Sequence, residues 1–184
     1  MSDAEQERLI IERVKAGDKA AFRYLIERYQ DDAFSLACSL LKDQALAEDI
    51  LQEVFLKVFI KIKTFKYQSS FYTWLYRVVV NRCYNELRKK KYQSNNFKET
   101  ASEQIATNLS DQEERRQIIN NALNRMKPNE ALVLRLFYLS ELKIEEVMEV
   151  TGFGKSNVKV TLFRARKNLA QILKKQFGKE IEDL

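Results

Sequence analysis

The sequence predicts an all-α protein made of two small helical domains. Only four glycines and one proline occur in 184 residues, so few positions suit the tight turns that a β-sheet requires. Leu, Ile, Glu, Lys, Arg, Gln and Ala are abundant, and these residue types favour helices. With 45% hydrophobic and 32% charged residues, the chain can bury a core and form globular domains.

Apolar residues recur at helical spacing through the first half of the chain. Steps of three and four begin after Asp18 and again after Asp43, which predicts a series of amphipathic helices. Residues 65–70 interrupt this pattern with aromatic and polar side chains, and a further helix follows, up to a basic run that ends at Lys91. We therefore assign residues 1–91 to a first helical domain.

A polar segment separates this domain from a second one. Residues 92–110 consist mostly of Ser, Asn, Thr, Gln and Glu, with few apolar residues at any helical period, which predicts a linker. Helical spacing returns after Asp111, and Pro128 suits the first turn of the following helix. Residues 111–184 are therefore predicted to form the second domain.

Near the C-terminus, two apolar helical runs flank Gly152 at the spacing of a helix-turn-helix. Glycine suits a turn that needs positive φ, and Ser156 is expected to cap the second helix. An ordinary solvated amphipathic helix is the alternative, but residues 155–175 carry seven basic side chains and no acid, which favours DNA binding. A helical wheel places the following residues on the face opposite the apolar one: Lys159, Val160, Phe163, Arg164 and Lys167.

Two segments of the first domain also carry patterns that suit a partner. Asp49, Gln52 and Glu53 fall on one side of a predicted helix whose other side is apolar, although a solvated acidic face would look the same. From Phe65 to Tyr84, aromatic residues alternate with cations. Such a pattern suits unpaired bases, which stack on rings while the phosphates follow the charge, and core packing is the alternative for most of these rings.

The composition argues against an enzyme and against a bound metal. The chain has no His and no cysteine pair at metal-ligand spacing, so we expect no metal, no cofactor and no small-molecule substrate. GFGKS looks like the end of a phosphate-binding loop, but Glu149 stands where that loop needs its first Gly. Cys38 and Cys83 lie in apolar runs, which predicts reduced, buried thiols and a cytoplasmic protein.

Three segments resemble, in their usual order, segments of the extracytoplasmic-function sigma factors of bacterial RNA polymerase. They read AEDILQEVFLKVF, SSFYTWLYRVVVNRCYNELRKKK and IEEVMEVTGFGKSNVKVTLFRARKNL. The resemblance covers about residues 10–91 and 111–176. It implies a sigma-two and a sigma-four domain joined by a flexible linker, and a role in promoter-specific transcription initiation. A stand-alone helix-turn-helix transcriptional regulator is the alternative.

The resemblance also implies which residues meet which partner. Asp49, Gln52 and Glu53 would dock on the clamp helices of the largest catalytic-core subunit of the polymerase, the second domain would contact the flap of the other large subunit, and an anti-sigma factor would regulate the protein. The loop that would capture a flipped base of the minus-ten element, and the helix beside it, comprise Tyr67, Gln68, Ser69, Ser70, Phe71, Trp74, Arg77, Val78 and Asn81. The residues implied to bind the minus-thirty-five element are Lys155, Ser156, Lys159, Val160, Phe163, Arg164 and Lys167.

Overall fold

The structure is a computed structural model that describes residues 3–93 and 111–177. Within these ranges all of the regular secondary structure is helical and no strand occurs, which confirms the all-α prediction. Apart from its first two residues, the predicted linker, 92–110, lies outside the described part. The helices are α1 (Asp3–Lys15), α2 (Lys19–Leu41), α3 (Gln44–Lys61), α4 (Phe71–Gln93), α5 (Asp111–Asn124), α6 (Pro128–Leu134), α7 (Ile144–Thr151) and α8 (Lys155–Phe177), with a 3₁₀ turn at Ile62–Thr64 and a π-helical segment at Arg135–Leu139.

Aspartate side chains set where α2 and α3 begin. Asp18 Oδ1 accepts hydrogen bonds from the backbone amides of Ala20 and Ala21, at 2.9 and 3.0 Å. Asp43 Oδ1 accepts one from the amide of Leu46, at 3.1 Å. These bonds satisfy amides that have no carbonyl partner in the first turn of a helix. Both helices therefore begin where the sequence pattern begins.

The first helix, α1, precedes any helical pattern that we recognised in the sequence. It is mostly polar, and only Ile11 and Val14 of this helix are buried. The Tyr29 hydroxyl of α2 donates a hydrogen bond to the Glu7 carboxylate of α1. With so narrow an apolar stripe, α1 depends on contacts with the helices that follow it, and such contacts cannot be read from a local pattern.

The core of the first domain lies between α2, α3 and α4, which all contact one another. A fully buried side chain from each helix shows how the apolar faces meet: Leu36 from α2, Ile50 from α3 and Leu75 from α4. In the second domain, α6 contacts α8, and Pro128 occupies the first turn of α6 as predicted. Among the described helices, none is long and apolar enough to cross a membrane.

The turn between α7 and α8 forms around Gly152, which has φ 73°. This confirms the expected left-handed glycine. The predicted cap at Ser156 is wrong, because α8 already begins at Lys155. The carbonyl of Gly154 accepts the first helical bond, from the amide of Val158 at 3.0 Å. Gly154 therefore takes the cap position, a role that glycine fills at little cost.

The two domains pack against each other. Arg135 of the second domain is only 7% exposed. Its Nε donates to Ser39 Oγ of α2 at 2.6 Å, and its Nη2 donates to Asn120 Oδ1 of α5 at 2.8 Å. Arg77 of α4 also forms an ion pair with Glu149 of α7, at 3.7 Å. Burial lowers the pKa of the Arg135 guanidinium, and the hydrogen bonds at this interface offset the loss of its hydration.

Both cysteines are reduced, and Cys83 is fully buried. Burial raises the pKa of the Cys83 thiol to about 12 and that of the half-buried Cys38 thiol to about 11. Because the thiolate is the reactive form, we expect iodoacetamide to label Cys83 at neutral pH only after unfolding. Mass spectrometry of the labelled protein, with a guanidinium-unfolded sample as positive control, measures this. Fast labelling of Cys83 in the folded protein would contradict the structure.

Candidate functional site

An apolar groove of 640 Å³ lies between α2 and α3. Leu56 lines it and is 66% exposed, and Ile60, one turn further along α3, is 74% exposed. Asp31 and Glu48 stand among the lining residues. Apolar side chains that stay this exposed in a cluster mark an interaction surface. The apolar wall consists of Phe22, Ile26, Phe34, Leu51, Phe55 and Leu56.

The three polar residues of α3 that the sequence predicts to meet a partner are all exposed, but their surroundings differ. They are Asp49, Gln52 and Glu53. Gln52 lines the groove. Glu53 lies beside α4, where its Oε2 accepts a hydrogen bond from Arg82 Nε at 2.8 Å. Asp49 has no ion-pair partner within the described residues. Asp49 and Gln52 can therefore meet a partner directly, whereas Glu53 is already partly neutralised.

The loop between the 3₁₀ turn and α4 is tied down at both ends by aromatic residues. Phe71 is 2% exposed and its ring lies 5.9 Å from that of Phe65. At the other end, Tyr67 is half-buried and adopts φ 55°. Its hydroxyl donates a hydrogen bond to Glu12 Oε1 of α1, at 2.6 Å. We expected Phe71 to contact a base, but the structure places its ring in the core.

Between these anchors, the polar residues of the loop differ in how much they are already engaged. Ser70 Oγ accepts a hydrogen bond from the amide of Thr73 at 3.1 Å and lies 2.8 Å from Thr73 Oγ1, so it caps α4. Gln68 is exposed and Ser69 half-buried. Gln68 and Ser69 are therefore the loop side chains best placed to touch a ligand.

A cleft of 320 Å³ between α3 and α4 brings together three of the predicted residues, Trp74, Val78 and Asn81. Trp74 is half-buried, with its ring 5.3 Å from that of Phe65, so it forms part of both the core and the cleft wall. Arg77 faces the second domain instead, through its ion pair with Glu149. Sequence reasoning missed two basic residues that line the same cleft, Lys57 and Lys61. Arg82, one of the cations that alternate with the aromatic residues in the sequence, lines it as well.

The second helix of the helix-turn-helix presents the face that the helical wheel predicts. Val158, Leu162 and Ala165 are buried, whereas Phe163 is 69% and Val160 47% exposed. An aromatic ring and a valine that stay exposed beside cations suit apolar contact with base edges in a DNA groove. The predicted basic residues of this face, Lys159, Arg164 and Lys167, are exposed as well.

The start of α8 is tied to α7 by an ion pair. Lys155 Nζ lies 3.0 Å from Glu145 Oε1, and this hydrogen bond holds the pKa of Glu145 below its usual range. Ser156 is exposed. Further along α8, Arg166 turns away from the predicted face and donates a hydrogen bond to the Tyr138 hydroxyl at 2.6 Å. Among the described residues, no group of His, Cys, Asp and Glu could hold a metal ion.

Comparison with known proteins accounts for both domains. The family model "Sigma-70 region 2" matches residues 25–92, and "Sigma-70, region 4" matches residues 116–169. The ECF RNA polymerase sigma-E factor of Escherichia coli (strain K12) is 30% identical over 179 residues, which cover 90% of this chain and 93% of the relative. The chain belongs to the extracytoplasmic-function sigma factors. It is thus an alternative sigma factor that directs transcription.

Further comparisons give another relative by sequence and two solved structures with the same fold. The sigma-E factor of Haemophilus influenzae is 27% identical and also covers 90% of the chain. The sigma factor RpoE in complex with the anti-sigma factor NepR from Bartonella quintana has the same fold, with a TM-score of 0.70, 23% identity, and coverage of 83% of this chain and 96% of that one. CnrH in complex with the cytosolic domain of CnrY superposes with a TM-score of 0.63, 17% identity, and coverage of 91% and 96%.

Proposed function

We propose that this sigma factor binds core RNA polymerase mainly through its first domain and directs initiation at promoters that both domains recognise. The observation that carries the proposal is that one chain has both an apolar groove with acidic residues at its rim and a basic, exposed face on α8. A stand-alone regulator would need only the DNA-binding face of α8. The sequence match to sigma region 2 covers all the residues that line the groove except Phe22.

The groove between α2 and α3 is the proposed docking site for the clamp helices of the largest polymerase subunit. Its apolar wall suits the apolar stripe of a helix, because burying exposed Leu56 and Ile60 removes apolar surface from water. Asp49, Glu48 and Asp31 give the rim a negative charge. Complementary charge then favours a helix that carries basic residues beside its apolar stripe.

The loop and the cleft of the first domain are the proposed minus-ten site. Gln68 and Ser69 are placed to contact an extruded base, while Trp74 and Asn81 line the cleft beside it. Lys57 and Lys61 would neutralise phosphates along the cleft. Arg77 forms an exposed ion pair with Glu149 at 3.7 Å, so its side chain must leave that carboxylate before it can bind a phosphate.

The exposed face of α8 is the proposed binding site for the minus-thirty-five element. A separate surface of the second domain is the proposed contact for the flap of the other large polymerase subunit. An apolar pocket of 390 Å³ is lined by residues of α5, the π-helical segment and α8. Tyr138 and Leu139 of the π-helical segment border it and are 50% and 53% exposed. Because this pocket excludes the face that carries Phe163 and Arg164, the flap and the DNA can bind together.

We further propose an anti-sigma factor as regulator, since the sigma factor RpoE, which has the same fold, forms a complex with the anti-sigma factor NepR. The protein would act in the cytoplasm, where RNA polymerase transcribes. It would have no enzymatic activity of its own and need no cofactor or small-molecule substrate. Catalysis of RNA synthesis would remain with the polymerase, and this chain would contribute promoter choice and melting.

Transcription in vitro tests the proposed function. We expect purified core polymerase with this chain to produce transcripts from a limited set of promoters in a randomised library, and core polymerase alone to produce none of them. Sequencing of the transcripts identifies the promoters. A chain that binds specific DNA on its own, but neither associates with core polymerase nor yields transcripts, would instead be a stand-alone regulator.

A further inference from the structure

The helix α1 contacts the proposed minus-ten site, although it lies outside both matched family regions, which begin at residues 25 and 116. Ile11 and Val14 anchor α1 in the core, at 1% and 2% exposure. The adjacent Glu12 has a side chain that is 54% exposed. Its carboxylate accepts the hydrogen bond from the Tyr67 hydroxyl at 2.6 Å. The loop is thus attached to a helix that precedes it by more than 50 residues.

Tyr67 needs this attachment because its backbone is in an unusual conformation. Its φ is 55°, a left-handed value that residues with a Cβ adopt at a cost and that persists only where surrounding contacts hold it. Those contacts come largely from α1. Besides Glu12, Lys15 Nζ lies 4.2 Å and the Arg8 guanidinium 5.0 Å from the centre of the Tyr67 ring.

The protonation states of the two partners keep this contact in place. Hydrogen bonds from Tyr67 and Lys15 lower the pKa of Glu12, so the carboxylate is a charged acceptor at neutral pH. Burial and the same hydrogen bond raise the pKa of Tyr67, so the phenol stays a donor. A hydrogen bond to a charged acceptor is stronger than one between neutral groups.

We propose that Glu12 is a positioning residue for promoter melting, which fixes Tyr67 so that the Gln68–Ser70 segment is already shaped for the unpaired base. A preformed loop loses less conformational entropy when the base enters. The α1 helix is then part of the minus-ten site without touching the base. This inference rests on the proposed function of the loop as the base-binding segment.

A double-mutant cycle with the assembled holoenzyme tests it. The variants are Glu12→Ala, Tyr67→Phe and the double variant, with Gln6→Ala on the exposed part of α1 as matched control. The measured quantity is the ratio of open-complex formation on a preferred promoter to that on promoters changed at single minus-ten positions. Core-polymerase affinity and the melting temperature are measured on the same samples, because a merely structural role would change the melting temperature and leave the ratio unchanged.

We expect each single variant to lower discrimination at one minus-ten position by about 5- to 10-fold, the effect of losing one hydrogen bond with a net contribution of about 1 to 1.4 kcal/mol. The double variant should lose no more than either single variant. Glu12→Gln, which keeps an acceptor oxygen, should retain part of the discrimination. Gln6→Ala should behave as the wild type, and core-polymerase affinity should not change in any of them.

Three other results would count against this inference, and they distinguish its failure from the failure of the function on which it rests. If Gln68→Ala and Ser69→Ala abolish discrimination while Glu12→Ala leaves it intact, the loop binds the base and the role of Glu12 is overturned. Additive losses from Glu12→Ala and Tyr67→Phe would overturn it as well. If neither the loop variants nor Glu12→Ala alters discrimination at any minus-ten position, the loop is not the base-binding segment, and both proposals fail.

Discussion

Replacing Arg164 by alanine is expected to flatten the preference of the holoenzyme at one position of the minus-thirty-five element, by about 5- to 150-fold. Arg164 is exposed on α8, beside Phe163 and within three turns of the start of the helix, the part that usually enters the major groove. A guanidinium there can bind a guanine edge with two hydrogen bonds. Transcription from a promoter library with the Arg164→Ala holoenzyme measures the preference at each position.

A contact from Arg164 to phosphate would give a different result. Binding would then weaken on all sequences alike, and the slope of log affinity against log salt would fall by about one. Lys167→Ala is the matched comparison, because Lys167 is also exposed but lies further along α8, and we expect it to show this uniform pattern. If Arg164→Ala alters neither selectivity nor affinity, the assignment of this face to DNA is wrong.

Charge reversal of Asp49 is expected to weaken binding to core polymerase by about tenfold or more, because a lysine there would repel the basic residues that the acidic rim should attract. Asp49 is exposed beside the groove and has no ion-pair partner among the described residues, so Asp49→Lys should leave the fold intact. Titration of labelled sigma factor with core polymerase gives the affinity, and circular dichroism checks that the protein remains helical.

The choice of Asp49 over Glu53 follows from the structure. Glu53→Lys would also break the contact with Arg82, so a loss of affinity could arise from a disturbed α3–α4 contact. Asp3→Lys makes the same change in charge at an exposed position on α1, and serves as the control for net charge. Equal affinity of Asp49→Lys and wild type, with both proteins folded, would show that the clamp helices dock elsewhere.

Local sequence patterns were sufficient for most of the helices. Asp18 and Asp43 cap the helices that follow them, and Gly152 occupies the left-handed turn. Each of these features depends on residues within one or two turns of the chain. The outer face of α8 could be predicted for the same reason, because the 3.6-residue period alone decides which side chains lie opposite the buried Val158 and Leu162.

The loop residues show where a local pattern misleads. Phe71 follows a polar segment, which favours an exposed ring, but packing against Phe65 buries it in the core. Ser156 has the right residue type for a cap, but α8 starts two residues earlier than a cap at Ser156 would place it, and Gly154 takes that role. Burying a ring such as that of Phe71 stabilises the fold by about 1.5 to 3 kcal/mol, whereas the choice between Ser and Gly as a cap changes stability by only about a few tenths of a kcal/mol.

By itself, the sequence determined the all-α class, the helix-turn-helix and the exposed basic face of α8, because helical periodicity and turn residues act over short stretches of chain. Only the tertiary structure decided that Glu12 would meet Tyr67, that Arg82 would hold Glu53, and that Arg135 would be buried against the first domain. These contacts join residues from 29 to 96 positions apart. Their geometry depends on how whole helices pack, so no local spacing of residues encodes them.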